Sequence, residues 1–131
     1  MTASEVPRFF MVGDTPVKFV PLPDGGLGVR KLDPKSGVFV YGMELYALAL
    51  SSDPNVDEIG EEQFIQVVES KRAALDREAG RLDALYAEIR AIEEAAAAAQ
   101  RPLSAAETAK LETLKRQTYA RFQAAHPDVG P

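Results

Sequence analysis

Residues 101–107 read Arg101-Pro102-Leu103-Ser104-Ala105-Ala106-Glu107, and they stop one helix and start another. Proline lacks the N–H that a continuing helix needs, and its ring clashes with the preceding turn. Ser104 and Glu107 have the spacing of a capping box, in which each side chain satisfies an open N–H at a helix start. The expected result is a turn over residues 100–103 between two helices.

Upstream of the turn no proline occurs from Glu61 to Ala99, and helix formers dominate. Val68, Leu75, Leu82, Ile89 and Ala96 recur every seven residues, and Leu85, Ile92 and Ala99 continue a second seam. This heptad pattern predicts a single coiled-coil-like helix over about residues 61–99. At ~1.5 Å per residue it would span roughly 60 Å. Gly80 lies inside it, as a close-approach point or a hinge. Downstream, a second helix is expected over about residues 104–125, followed by a tail, 126–131. Folding back at Pro102 sets Leu111 on Ile92, Leu114 on Ile89, Thr118 on Leu85 and Phe122 on Leu82, an antiparallel helical hairpin with a largely apolar seam.

The first half of the chain has a different rhythm. Arg8–Val12, Val17–Val20, Leu27–Leu32 and Val38–Tyr41 are β-prone runs. Gly13-Asp14, the Pro21–Gly26 stretch and Asp33–Gly37 separate them as turns. Pro16 and Pro21 belong at strand ends or on an edge. Met43, Tyr46, Ala47 and Leu50 then fall at helical spacing and predict a short amphipathic helix over 43–50. Asp57–Glu62, rich in carboxylates, reads as the opening of the long helix. The chain therefore reads as α+β. Residues 1–56 form a small antiparallel β-meander with a short helix, and residues 57–131 form the hairpin.

Composition narrows the function. The chain has 131 residues, no cysteine, one histidine and a net charge of −5. Disulfides, thiolate metal sites and cysteine nucleophiles are thereby excluded. Five bases stand against six acids before Asp57, and ten against fourteen from there on, so the acidity sits mainly in the helices. An acidic chain of this kind is not expected to bind duplex nucleic acid or an anionic membrane. Met1-Thr2-Ala3-Ser4-Glu5 lacks the basic and apolar regions of a signal peptide, which points to the cytoplasm. Gly25-Gly26-Leu27-Gly28 is followed by a strand, so it reads as a hairpin turn and not a phosphate loop. No nucleophile constellation, and so no catalytic residue, can be assigned from these residues, and no cofactor or metal site is expected.

A projecting hairpin has few internal reasons to be long. The expected function is a non-enzymatic interaction or adaptor protein that binds a protein partner through the hairpin and a sheet edge. Val67, Val68 and Leu75 extend the apolar seam beyond the reach of the return helix, and they are candidates for self-association into a dimer. Glu93, Glu94 and Arg101, toward the other end, are candidates for a heterologous partner. A second reading is a nucleic-acid-associated regulator, using Phe9, Phe10, Phe19, Phe39 and Tyr41 as a stacking platform with Lys18, Arg30 and Lys31 beside it. A third is an enzyme with a carboxylate site that the pattern does not disclose.

His126-Pro127-Asp128, after the basic helical stretch Lys115–Phe122, resembles the signature of J-domains, in which that tripeptide binds a chaperone partner. That family has a third helix after the tripeptide, and its partner helix is much shorter than the one expected here. A helix ended by proline accounts for the same residues. The acidic arm is also similar in outline to coiled-coil transcription factors that insert a tip into a partner's cleft, but their tip loops carry acids and Gln100–Leu103 carries none.

Overall fold

The computed structural model describes residues 6–129, so the Met1–Glu5 stretch and the last two residues of the predicted tail lie outside it. The fold is α+β, an antiparallel sheet followed by helices. Two compact units are present: residues 6–64 together with 126–129, and residues 65–125.

The first unit is built on five strands: β1 (Arg8–Val12), β2 (Thr15–Pro21), β3 (Leu27–Leu32), β4 (Phe39–Tyr41) and β5 (Val56–Ile59). Their order is β4-β3-β2-β1-β5. The tight β1–β2 connection needs a positive φ at its first turn residue, and Gly13 supplies it at +60°. β5 corrects the sequence reading, which placed Asp57–Ile59 in a helix start. Val56 and Ile59 are β-formers, and pairing with β1 gives the backbone of Phe9–Val12 a second set of partners. A ladder available only through tertiary contact overrode the local carboxylate signal.

One sheet face carries Phe10, Val17, Phe19 and Val29 in a buried cluster, with Leu45, Tyr46 and Ala49 packed against it. Those three come from a 3₁₀ turn, Met43–Leu45, that runs into α1 (Tyr46–Ala49). The helix forms where expected, but its buried side differs. Met43, Ala47 and Leu50 are exposed, because the tighter 3₁₀ start shifts the phase of the turn. The opposite face carries Phe9 and Phe39. Phe64, from the first turn of α2 (Glu61–Glu78), sits 4.8 Å from Phe9 and 5.6 Å from Phe39, centroid to centroid. Phe9, Phe10, Phe19 and Phe39 are buried and Tyr41 is exposed, so the first four are core side chains.

The second unit contains the rest of α2, α3 (Ala84–Ala98) and α4 (Ala105–Ala125). The single helix expected over 61–99 is therefore two. α2 ends in a paired bonding pattern: Gly80 N donates to Arg77 O and Arg81 N to Asp76 O, with Gly80 at φ +69°. This is the glycine-dependent Schellman stop. Asp83 then caps α3, its Oδ1 accepting from Leu85 N at 2.9 Å and Tyr86 N at 3.3 Å. Asp83 N donates to Asp76 Oδ2 at 2.9 Å, which ties the corner together. Asp83→Ala is expected to cost about 1 kcal/mol, measured by chemical denaturation; an unchanged midpoint would mean that the corner is held elsewhere.

The break lets α2 fold against the other two helices, so that Ala73 joins Tyr86, Ile89, Leu111 and Leu114 in one buried cluster. Leu85 and Ile92 pack against the same cluster. Asp83 at the start of α3 meets Arg121 near the end of α4 at 2.9 Å, so α4 runs back along α3. The capping box forms as read: Glu107 N donates to Ser104 Oγ at 3.1 Å, and Ser104 N to Glu107 Oε1 at 2.9 Å. The apolar seam expected to close with Leu82 on Phe122 does not bury Leu82. Leu82 lies in the corner, 68% exposed, and the Phe122 ring faces the Arg72 guanidinium at 3.8 Å.

Candidate functional site

The residues proposed from the sequence as partner-binding are dispersed. Val68 is fully buried on α2, and Val67 and Leu75 are half-buried. Arg101 sits in the α3–α4 turn and grips Glu107 through both guanidinium nitrogens, at 2.7 and 3.1 Å. That contact, with the Ser104 backbone bond, holds the Glu107 carboxyl down at about 2. Glu93 and Glu94 are the pair brought to a cavity.

That cavity is an open cleft of about 280 Å³. Ser70, Ala74, Arg77 and Glu78 of α2 line one side, and Arg90, Glu93 and Glu94 of α3 the other. Helical spacing places Ser70, Ala74, Arg77 and Glu78 on one face of α2, and Arg90, Glu93 and Glu94 on one face of α3. At its floor Ser70 Oγ donates to Glu93 Oε2 at 2.8 Å. The buried Lys115 Nζ of α4 donates to Ser70 Oγ at 2.8 Å and to Glu93 Oε2 at 3.0 Å. Glu93 is therefore part of a closed three-residue ring. At the mouth Arg77 and Glu94 pair at 2.7 Å, both more than half exposed. The Arg77 bond lowers the pKa of Glu94 and the Glu94 bond raises that of Arg77. Arg90 reaches inward instead, donating to Ala73 O at 2.6 Å and Asp76 Oδ2 at 3.2 Å.

Beside the cleft lies a second buried polar cluster. Arg72 pairs with Glu69 at 2.9 Å and donates to Gln123 Oε1 at 2.6 Å, and Tyr86 donates to Glu69 Oε1 at 3.0 Å. Burial raises the Glu69 pKa above the ordinary carboxylate range, against the lowering by Arg72 and by hydrogen bonds from Thr118 and Tyr86. Burial, with the Glu69 charge, likewise raises the Tyr86 phenol.

These arrangements bind groups to each other. Ser70 and Lys115 both donate to the Glu93 carboxylate. Among the described residues no group of three or more His, Asp or Glu side chains could hold a metal ion, and no helix is long and apolar enough to cross a membrane.

The bases proposed for nucleic-acid contact are engaged within the first unit. Lys18 and Arg30 are buried and lie at 2.9 and 3.9 Å from Asp128, and Lys31 pairs with Glu44. The residue missed by sequence reasoning is Leu82. It is the most exposed large hydrophobic side chain among the described residues, and its φ of +54° lies in the left-handed region. The heptad pattern absorbed it into a seam. The signal that would have found it was Gly80 two residues before and Asp83 one residue after, a helix stop and a helix cap.

Comparison with family models, with curated proteins and with solved structures finds no match for this chain.

Proposed function

We propose that this chain is a non-enzymatic interaction protein whose helical unit engages a protein partner at the corner between α2 and α3. Leu82 carries this reading. A non-glycine residue in the left-handed region costs roughly 1–2 kcal/mol, and an exposed leucine gains little from burial to offset it. Strain that the fold does not repay is concentrated at positions kept for another purpose. The corner is also rigid, held by the Gly80 stop, the Asp83 cap and the Arg121 ion pair. A leucine presented at fixed geometry suits a partner's apolar pocket, because little ordering remains to be done on binding. The Arg77–Glu94 pair and the acidic helical surface supply a polar rim. An edge of the sheet is a second contact, and self-association is one form the interaction takes. We place the protein in the cytoplasm, on its cysteine-free composition.

Leu82→Gly tests the reading from the stability side. Relief of the left-handed strain outweighs the added freedom of glycine in the unfolded chain, and a gain of up to about 1 kcal/mol is expected by denaturant titration. Leu82→Asp tests it from the binding side. Affinity capture with the wild-type chain should retain a partner, or a second copy, that the Asp variant loses at unchanged thermal stability. If both baits retain the same set, or if Leu82→Gly destabilises the fold, the corner is structural and the proposal fails.

A further inference from the structure

The second face of the sheet carries two charges that the reading above does not use. Lys18 on β2 and Arg30 on β3 are direct cross-strand partners, so their side chains share a face, and they are 6% and 5% exposed. Like charges set opposite each other repel, and burial makes both expensive unless an anion is held beside them. Asp128 is that anion, at 2.9 Å from Lys18 Nζ and 3.9 Å from Arg30 Nε. The Phe39 ring forms a wall, with Lys18 Nζ 4.3 Å from its centroid.

The carboxylate is not supplied by the sheet. It comes from residues 126–129, which follow α4 in the chain and belong to the first unit. Val129 N donates to Phe39 O at 2.8 Å. The β3–β4 bonds run through Asp33 N to Val38 O and Gly42 N to Val29 O, so Phe39 O points to the outer edge of β4. The segment is therefore attached as an added strand would be, with a main-chain bond to a sheet edge and a side chain in a specific site. His126, Pro127 and Val129 are exposed, so little apolar burial secures it.

We propose that Lys18, Arg30 and the outer edge of β4 form a recognition site for an extended peptide carrying an aspartate followed by an apolar residue, and that residues 126–129 fill this site in cis. The two cations read the carboxylate, and the β4 edge reads the backbone. The external ligand is then an acidic extended segment of a partner protein, in competition with the chain's own segment. Covalent attachment to the same chain gives the internal segment an effective concentration on the order of millimolar. An outside peptide consequently binds the wild-type chain weakly, and weakening the strap uncovers the site.

The test is fluorescence anisotropy of a labelled peptide of residues 124–131, titrated into the full chain. Asp128→Asn removes the internal carboxylate and is expected to bind the peptide about tenfold or more tightly than wild type. Val129→Pro removes the N–H donor to Phe39 but keeps Asp128, so the strap is loosened with its carboxylate still present to compete, and a smaller gain is expected. The same peptide carrying Asp128→Asn should bind neither chain. Circular dichroism melts of each variant accompany the titration. Equal peptide affinity in wild type and a folded Val129→Pro chain, or binding indifferent to the peptide's aspartate, would make Asp128 a structural tie and overturn the proposal. Loss of the folded state in both variants would overturn it as well.

Discussion

Arg72→Met is expected to destabilise the helical unit by about 3–5 kcal/mol, because it strands a carboxylate out of water. Glu69 is fully buried, and its ion-pair partner within the unit is Arg72 at 2.9 Å. Arg72 itself holds Gln123 and the face of Phe122, so its loss also loosens α2 from α4. The double variant Glu69→Gln, Arg72→Met should recover most of the loss, since it leaves neutral groups and keeps an acceptor for Tyr86. A double-mutant cycle by urea denaturation measures the coupling. The pH dependence follows from the same burial. Folding raises the Glu69 pKa above that of an exposed glutamate, so in the interval between the unfolded and folded values the native state binds more protons. Stability from this group is fully present below the unfolded value and declines as pH rises through the folded one. Glu69→Gln should remove that decline. The Arg72→Met penalty should shrink toward acid pH, where Glu69 takes up a proton. An Arg72→Met chain as stable as wild type at neutral pH would mean that the charge of Glu69 is met by other groups.

Phe64→Ala carries the other large effect, in the sheet unit. The ring is fully buried between Phe9 and Phe39, and truncation to alanine opens a cavity that strands cannot close by a side-chain shift. A loss of about 3–5 kcal/mol is typical for such a site. Phe64→Leu should cost less than ~1.5 kcal/mol if the site tolerates a change of shape. Denaturant titration followed by near-ultraviolet circular dichroism reads the loss through Tyr46, which stacks on Phe19 at 5.6 Å in this unit, together with a contribution from buried Tyr86 in the other. Phe122→Ala is a useful contrast. Phe122 is half-buried and lies over Arg72, so its truncation should cost clearly less than that of Phe64. Equal losses at the two positions would be inconsistent with this packing.

Much of the fold is written locally. β1 and β3 fall on the runs Arg8–Val12 and Leu27–Leu32 because alternation and flanking turn residues are properties of a few neighbours. The Ser104–Glu107 box starts α4 because its two bonds lie within one turn of chain. Turning at Pro102 and matching apolar spacing is enough to bring Leu111 and Leu114 to Ile89. Other features needed the whole molecule. Val56–Ile59 is a strand because β1 offered an unpaired edge, and nothing within those four residues states that. A heptad records spacing but not continuity, so the same apolar repeat is consistent with one long helix or with two joined at Gly80. The second arrangement holds because it buries Ala73, Glu69 and Arg72 among α3 and α4, where a straight helix would leave them in water. The exposure of Leu82 and the meeting of Ser70, Glu93 and Lys115 follow from that choice. The pairing of Asp128 with Lys18 likewise spans more than a hundred residues of chain. Sequence periodicity determines which side chains seek cover. Only the tertiary structure decides which of them find it, because burial is shared among segments that the chain brings together from far apart.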